Sequence, residues 1–319
     1  VEATNDKAKV QLIAKDHLLV DVTGNGAKSV HTTGDTEVNL SGNDVKIQAT
    51  STGGSVYGVY SETNSKATIS GNAVEIGTIG GENGYNGEIG SAALYANNSK
   101  IEVDANKVVV NTTNAKEHAF AVYSNLGSDI KLGKDANSEV QISSSSEGTA
   151  MGVAVASVGS GTPADAKVTI HGAKINVSAE GKKARGLYAQ DNNNISAGNT
   201  GSDIQISAKG EDAVGVLALI HGSVDLNGKN AVINAEGSQA SEGIHVQNND
   251  MNDKDNRATV NVNTENTTIN AKSALVAMSH SVLNVSSNLV TNGKNAILTR
   301  GNSDVNINVD GKHTTQLNG

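Results

Sequence analysis

Eight segments of this chain are variations on one phrase: SVYGVYSE from Ser55, SAALYANN from Ser91, AFAVYSNL from Ala119, AMGVAVAS from Ala150, ARGLYAQD from Ala184, AVGVLALI from Ala213, EGIHVQNN from Glu242 and ALVAMSHS from Ala274. Self-similarity at this interval is the mark of a repeat architecture, in which each unit leaves a face that only its neighbour can cover. Each period also carries two further alternating runs. In the period from Ala119 these are DIKL, with Ile130 and Leu132, and EVQIS, with Val140 and Ile142. The next period has KVTI and KINVSA, and the following one an irregular NNIS and then DIQISA.

Apolar residues two apart turn one face of a strand inward, and the Gly, Asn, Asp, Ser and Lys between the runs supply turn chemistry. Strands this short cannot bury a face alone. The pattern therefore predicts an all-β fold, a right-handed three-stranded parallel β-helix of roughly ten coils, about 48 Å long at 4.8 Å per coil. Residues 1–319 read as a single β-helical segment. The excess length falls in GTIGGENGYNGEIG, GSGTPADA and NNDMNDKDNR, which are expected to project as loops.

Composition agrees with an economical aliphatic core. With one Phe, no Trp and 2% aromatic residues, no ordinary aromatic core is possible, and the absence of Cys excludes disulfides and thiolate chemistry. A net charge of -9 without a Lys/Arg cluster argues against nucleic acid as a partner. No stretch has the apolar length of a membrane-spanning helix, so no direct membrane insertion of this segment is expected.

Slot-by-slot comparison sharpens the repeat. The position before the Tyr slot is always aliphatic: Val59, Leu94, Val122, Val153, Leu187, Val216, Ile244 and Val276. The next position is mixed: Tyr60, Tyr95, Tyr123, Ala154, Tyr188, Leu217, His245 and Ala277. Alternation places the first inside and the second outside. The residues two earlier, Gly58, Ala93, Ala121, Gly152, Gly186, Gly215 and Gly243, are expected to share the outer face and leave the rings uncovered. Tyr60, Tyr95, Tyr123 and Tyr188 thus form a candidate ligand-binding strip, and the same rings could instead stack merely to stiffen the sheet. Loop residues Tyr85, Asp250, Asp253 and Asp255 are further candidates. The three aspartates are closely spaced oxygen donors, but the loop lacks the glycine and distal Glu of an EF-hand, so an ordinary solvated loop is the favoured reading and no metal site or cofactor is assigned.

With three strands per coil, recurrent GVYS-like and GLYA-like openings and abundant Asn, Ser, Thr and Gly, the chain resembles the passenger region of bacterial autotransporter adhesins along essentially its whole length. That resemblance implies a Gram-negative cell-surface protein, secreted through the outer membrane by a C-terminal β-barrel and acting in adhesion, autoaggregation or biofilm formation. Its partners would be copies of itself on neighbouring cells, or a host or bacterial surface glycan or protein. The opening VEATNDKAKV and the closing NINVDGKHTTQLNG suggest an excised segment of a longer protein.

Catalytic signals are weak. There is no GDSG-like or GxSxG elbow, and the eight His residues lie in different coils without metal-ligand spacing. Glu62, Asp104, Asp129, Asp191 and Asp225 are scattered single acids. The expected function is non-enzymatic adhesion, with a polysaccharide-cleaving β-helix or a passive stalk as alternatives.

Overall fold

The computed structural model describes residues 1–4, 7–81, 90–157, 165–248 and 256–319. Within them the chain is all-β, with no helix. Every strand pairing is parallel, and each stretch pairs with its counterpart one repeat further along; the long strands Asp203–Leu219, Ser223–Gln247 and Thr259–Asn270, which run through more than one ladder, are consecutive partners for that reason. The separation varies, from 22 residues between Leu275 and Ile297 to 38 between Ile130 and Val168, yet the register stays in phase. Variable corners absorb the difference.

The pairings fall into three ladders. The first contains the repeated phrase: Lys28–Thr32, Tyr57–Glu62, Ser91–Asn97, His118–Asn125, Thr149–Val155, Lys183–Gln190, the ends of Asp203–Leu219 and Ser223–Gln247, then Ser273–Met278 and Asn295–Arg300. The second runs through Glu37–Ser41, Asp129–Leu132, Lys167–Ile170 and Asn194–Ala197. The third includes Asp44–Ser51, Glu139–Ser146 and Lys174–Glu180. The irregular NNIS run is a full member, pairing Ile195 with Val168 and Val224.

Alternation turns each ladder into a column of stacked aliphatic side chains. In the second ladder Leu40, Ile69, Val103, Leu132, Ile170, Ala197, Leu226, Val262 and Val285 succeed one another in register. All belong to one core and are almost completely buried. Fully burying a Leu, Ile or Val contributes about 1.5–3 kcal/mol, which is how a chain nearly without aromatic residues obtains its stability.

The first ladder breaks the alternation. Partners run Tyr57 to Ala92 and then Val59 to Leu94, passing over Gly58 and Ala93. The same omission recurs at Ala121 and Gly152, at Gly186 and Gly215, and at Gly243 and Ala274. Two successive residues face the interior here: Ala93 with Leu94, Ala121 with Val122 and Ala274 with Leu275 all lie in the main core. A methyl group added at Gly58 would stand 2.9 Å from Ile76 Cγ2, and one at Gly186 would meet Ile206 closer still. The small residues therefore point inward, against the third ladder, and do not share the outer face with the tyrosines as strict alternation suggested. A local bulge of this kind shifts the strand's phase by one residue.

The last phrase is also displaced by one. His245 pairs with Val276 and Ile244 with Leu275, so Leu275 fills the inward slot that the sequence alignment gave to Val276.

Candidate contact surface

The bulge decides what stands beside the tyrosines. With two residues turned inward, outward positions are three apart, and the neighbours of Tyr60, Tyr95, Tyr123 and Tyr188 are Tyr57, Ala92, Phe120 and Arg185. Tyr57, Tyr95, Phe120 and Tyr123 form a cluster separate from the main core, with Tyr60, Met151 and Tyr188 packed against it. Tyr60 stacks on Tyr95 with ring centroids 4.8 Å apart, and Tyr95 on Tyr123 at 5.7 Å. Tyr57 and Phe120 meet this stack edge-on, at 4.8 Å from Tyr60 and 4.9 Å from Tyr123. Lys28 Nζ caps the end of the ladder, 3.9 Å from the Tyr60 ring centre.

The expectation of uncovered rings is corrected here. Tyr95 is 7% and Tyr123 3% exposed, while Tyr60 and Tyr188 are half-buried. The ladder is outside the core, as the sequence implied, but its middle is a second apolar core and only its ends present ring surface. Tyr57, Phe120 and Met151 were missed because strict alternation turns them inward, and Lys28 because its strand precedes the first repeated phrase. The pairing of aromatic residues three apart in SVYGVY and AFAVY was the available signal.

The phenol groups are held in their neutral form. Burial raises the Tyr95 pKa against a lowering hydrogen bond from Asn125, and burial together with the Glu62 carboxylate raises that of Tyr60. Burial, followed by Asp191, pushes Tyr188 up to about 12. Their hydroxyls serve as donors: Tyr60 to Glu62 at 3.2 Å and Tyr188 to Gln190. Neutral phenols of this kind offer contact area and hydrogen bonds.

Beyond Tyr188 the outer strip changes character. Arg185 donates to the Asp212 carboxylate at 2.7 Å and to its carbonyl at 2.8 Å. Further on, His245 Nδ1 lies 2.5 Å from Glu242 and Nε2 3.2 Å from Gln247. Four of the five candidate acids are engaged locally: Glu62 with His31 and Tyr60, Asp129 with Lys167 at 3.4 Å, Asp191 with Gln190, and Asp225 with Asn194 and Asn261.

The corners following this ladder are built from left-handed residues. Thr63 and Asn64, Asp191 and Asn192, Ile220 and His221, and Ser279 and His280 all have φ between 43° and 65°. Asn and Asp accept this conformation readily, whereas β-branched Ile220 does so at a cost. Buried hydroxyls then satisfy the carbonyls left by the turn, as when Ser65 donates to Glu62 O at 2.7 Å and Ser281 to Val246 O at 2.9 Å.

The three insertions all adjoin the first ladder. One lies between Lys66–Gly80 and Ser91–Asn97, another follows Thr149–Val155, and the third follows Ser223–Gln247. Their candidate residues Tyr85, Asp250, Asp253 and Asp255, and Pro163, lie outside the described residues. Comparison with protein-family models, curated proteins and solved structures finds no match to this chain.

Proposed function

We propose that the chain is a right-handed three-stranded parallel β-helix of about ten coils and that it works as a non-enzymatic adhesin, a rigid rod on a Gram-negative cell surface. The in-phase parallel register of all three ladders supports the rod. The observation that carries the functional reading is the placement of all three insertions beside one ladder, the one bearing the aromatic strip. A solenoid tolerates inserted length at any corner; here one insertion leads into a first-ladder strand and two leave one, so they flank the aromatic strip at its two ends, and on this reading that side is the contact surface. Partners on this reading are copies of the chain on adjacent cells or a surface glycan or protein. Exposed polar contacts contribute at most about 1 kcal/mol each, and a long rod multiplies them by avidity.

A passive stalk is the second reading, favoured by the burial of Tyr95 and Tyr123. Display of the chain on a non-aggregating bacterium separates the two. Settling, biofilm growth or attachment above the empty-display control is expected. Cells that behave as the control in every assay would leave the stalk. Release of reducing ends from polysaccharide by the purified chain would overturn the non-enzymatic assignment.

A further inference from the structure

The C-terminal half of the third ladder carries a surface that the aromatic strip does not explain. Three successive strands read NAVIN from Asn230, NTTIN from Asn266 and NLVTN from Asn288. They pair in register, so Asn230, Asn266 and Asn288 form one column, Val232, Thr268 and Val290 a second, and Asn234, Asn270 and Asn292 a third. The alternate residues Ala231, Ile233, Ile269 and Leu289 are buried in the core, which leaves these nine side chains on the outer face.

The two Asn columns are continuous hydrogen-bonded ladders. Asn266 Nδ2 donates to Asn230 Oδ1 at 3.0 Å and Asn288 to Asn266 at 3.2 Å. In the other column Asn270 donates to Asn234 at 2.7 Å, Asn292 to Asn270 at 2.9 Å and Asn318 to Asn292 at 3.0 Å. A carboxamide inside such a column uses one N–H and one lone pair, leaving one donor and one acceptor for a ligand. The columns stand roughly 13 Å apart, four residues at about 3.3 Å, with rungs about 4.8 Å apart. Val and Thr are shorter than Asn, so the middle column is the floor of a shallow trough between two amide rails.

We propose that this grid binds a neutral, linear polysaccharide lying between the rails. The proposal goes beyond the first-ladder contact reading by placing a binding face on the third ladder, and it rests on the rod geometry proposed above. Charge selects the ligand class: none of the nine positions is ionisable on a chain of net charge -9, and the nearest acid in the column is Asp203, which accepts from Asn230 at 2.7 Å. A polyanion or polycation finds no counter-charge in the trough. Sugar hydroxyls both donate and accept, and therefore match rails that present both at every rung but Asn288, whose Oδ1 already accepts from the Thr314 N–H and hydroxyl, while the sugar's C–H faces can rest on Val232 and Val290. A second copy of the face fits less well, because rail would meet rail and leave the trough unfilled.

The test is native affinity electrophoresis of the whole chain in gels containing a linear β-glucan, a galactomannan or, as the anionic comparison, alginate. Retardation is expected in at least one neutral gel and should persist at high salt. Thr268→Lys, which puts a charge on the trough floor, should weaken it at least ten-fold, as should the near-isosteric Asn266→Asp. Gln141→Lys, the same charge change earlier in the central column, should leave it unchanged. Retardation in neither neutral gel, retardation only by alginate, or full retardation of both grid variants with unaltered melting would overturn the proposal. So would a dimer in polymer-free sedimentation velocity that Thr268→Lys abolishes, since the grid would then belong to a second copy. Displayed cells that fail to adhere, with retardation intact, would count against the adhesin reading and not against this site.

Discussion

Tyr123 and Tyr60 occupy equivalent positions in the first ladder and differ in their cover. Tyr123 is packed between Tyr95 and Phe120, whereas Tyr60 shares the end of the stack with Lys28 and His31. Tyr123→Ala should therefore cost about 3–5 kcal/mol, the range for removing a buried aromatic side chain, and Tyr60→Ala distinctly less. Urea unfolding followed by circular dichroism would read the contrast, and equal shifts for the two variants would contradict the packing described. Alkaline pH probes the same cluster. A phenol whose folded pKa is raised binds its proton more tightly in the folded chain, so its stabilising effect is complete below the ordinary value of 10.0 and is lost as pH rises towards the folded value, about 12 for Tyr188. Melting temperature should fall above pH 10, and Tyr188→Phe should reduce the fall. The existence of the ladder was legible in the repeated phrase, but its cover was not. Gly and Ala satisfy an inward or an outward slot equally, so composition at Gly58 or Ala121 could not reveal the change of phase.

That change of phase belongs to the element. First-ladder strands place two residues inward in succession, and the row of small side chains is what lets them approach Ile76, Ile206, Ile233 and Ile269. Gly186→Val should overpack this contact and destabilise by about 1–3 kcal/mol, more if the bulge cannot shift. A melting temperature equal to that of the unsubstituted chain would show that the slot opens outward after all. Apart from the NNIS run, read as irregular, and a register shift between Thr112 and Ala115, the second and third ladders were readable from sequence because they keep the period of two. The Asn columns were visible as letters in NAVIN, NTTIN and NLVTN, but only the register revealed that they coincide, since 36 residues separate Asn230 from Asn266 and only 22 separate Asn266 from Asn288.

For the whole molecule, strands in the middle of each ladder have a neighbour on both sides and the outermost strands on one side only. Lys9–Ile13 is largely exposed, as are Asn295–Arg300 and Thr315–Asn318, whereas core residues of the central strands are fully buried. Stability in such a stack is a sum of units and nearest-neighbour contacts. Amide hydrogen exchange should accordingly be fastest in these outer strands and slowest through the first-ladder strands from Ser91 to Gln190, and uniform protection along the chain would refute local unfolding from the outside in. The start of the first inserted segment was misread at this scale: Gly77, Thr78, Ile79 and Gly80 continue the strand Lys66–Gly80, in register with Gln48, Ala49, Thr50 and Ser51, instead of opening a loop, because a glycine-rich strand end carries the letters of a turn.

The parallel register also bears on how such a molecule changes over generations. Every strand's partner is its own counterpart, as Leu187 is paired with Val216, 29 residues on. Excision of one such period from the gene would bring together edges that already match in slot, phase and hydrogen-bonding direction. Unequal recombination between neighbouring repeats could thus lengthen or shorten each ladder by one strand, about 4.8 Å, while leaving the core chemistry of the remaining strands intact. Ladder length would then drift more freely than the inward columns of aliphatic side chains, which each added or lost strand must continue.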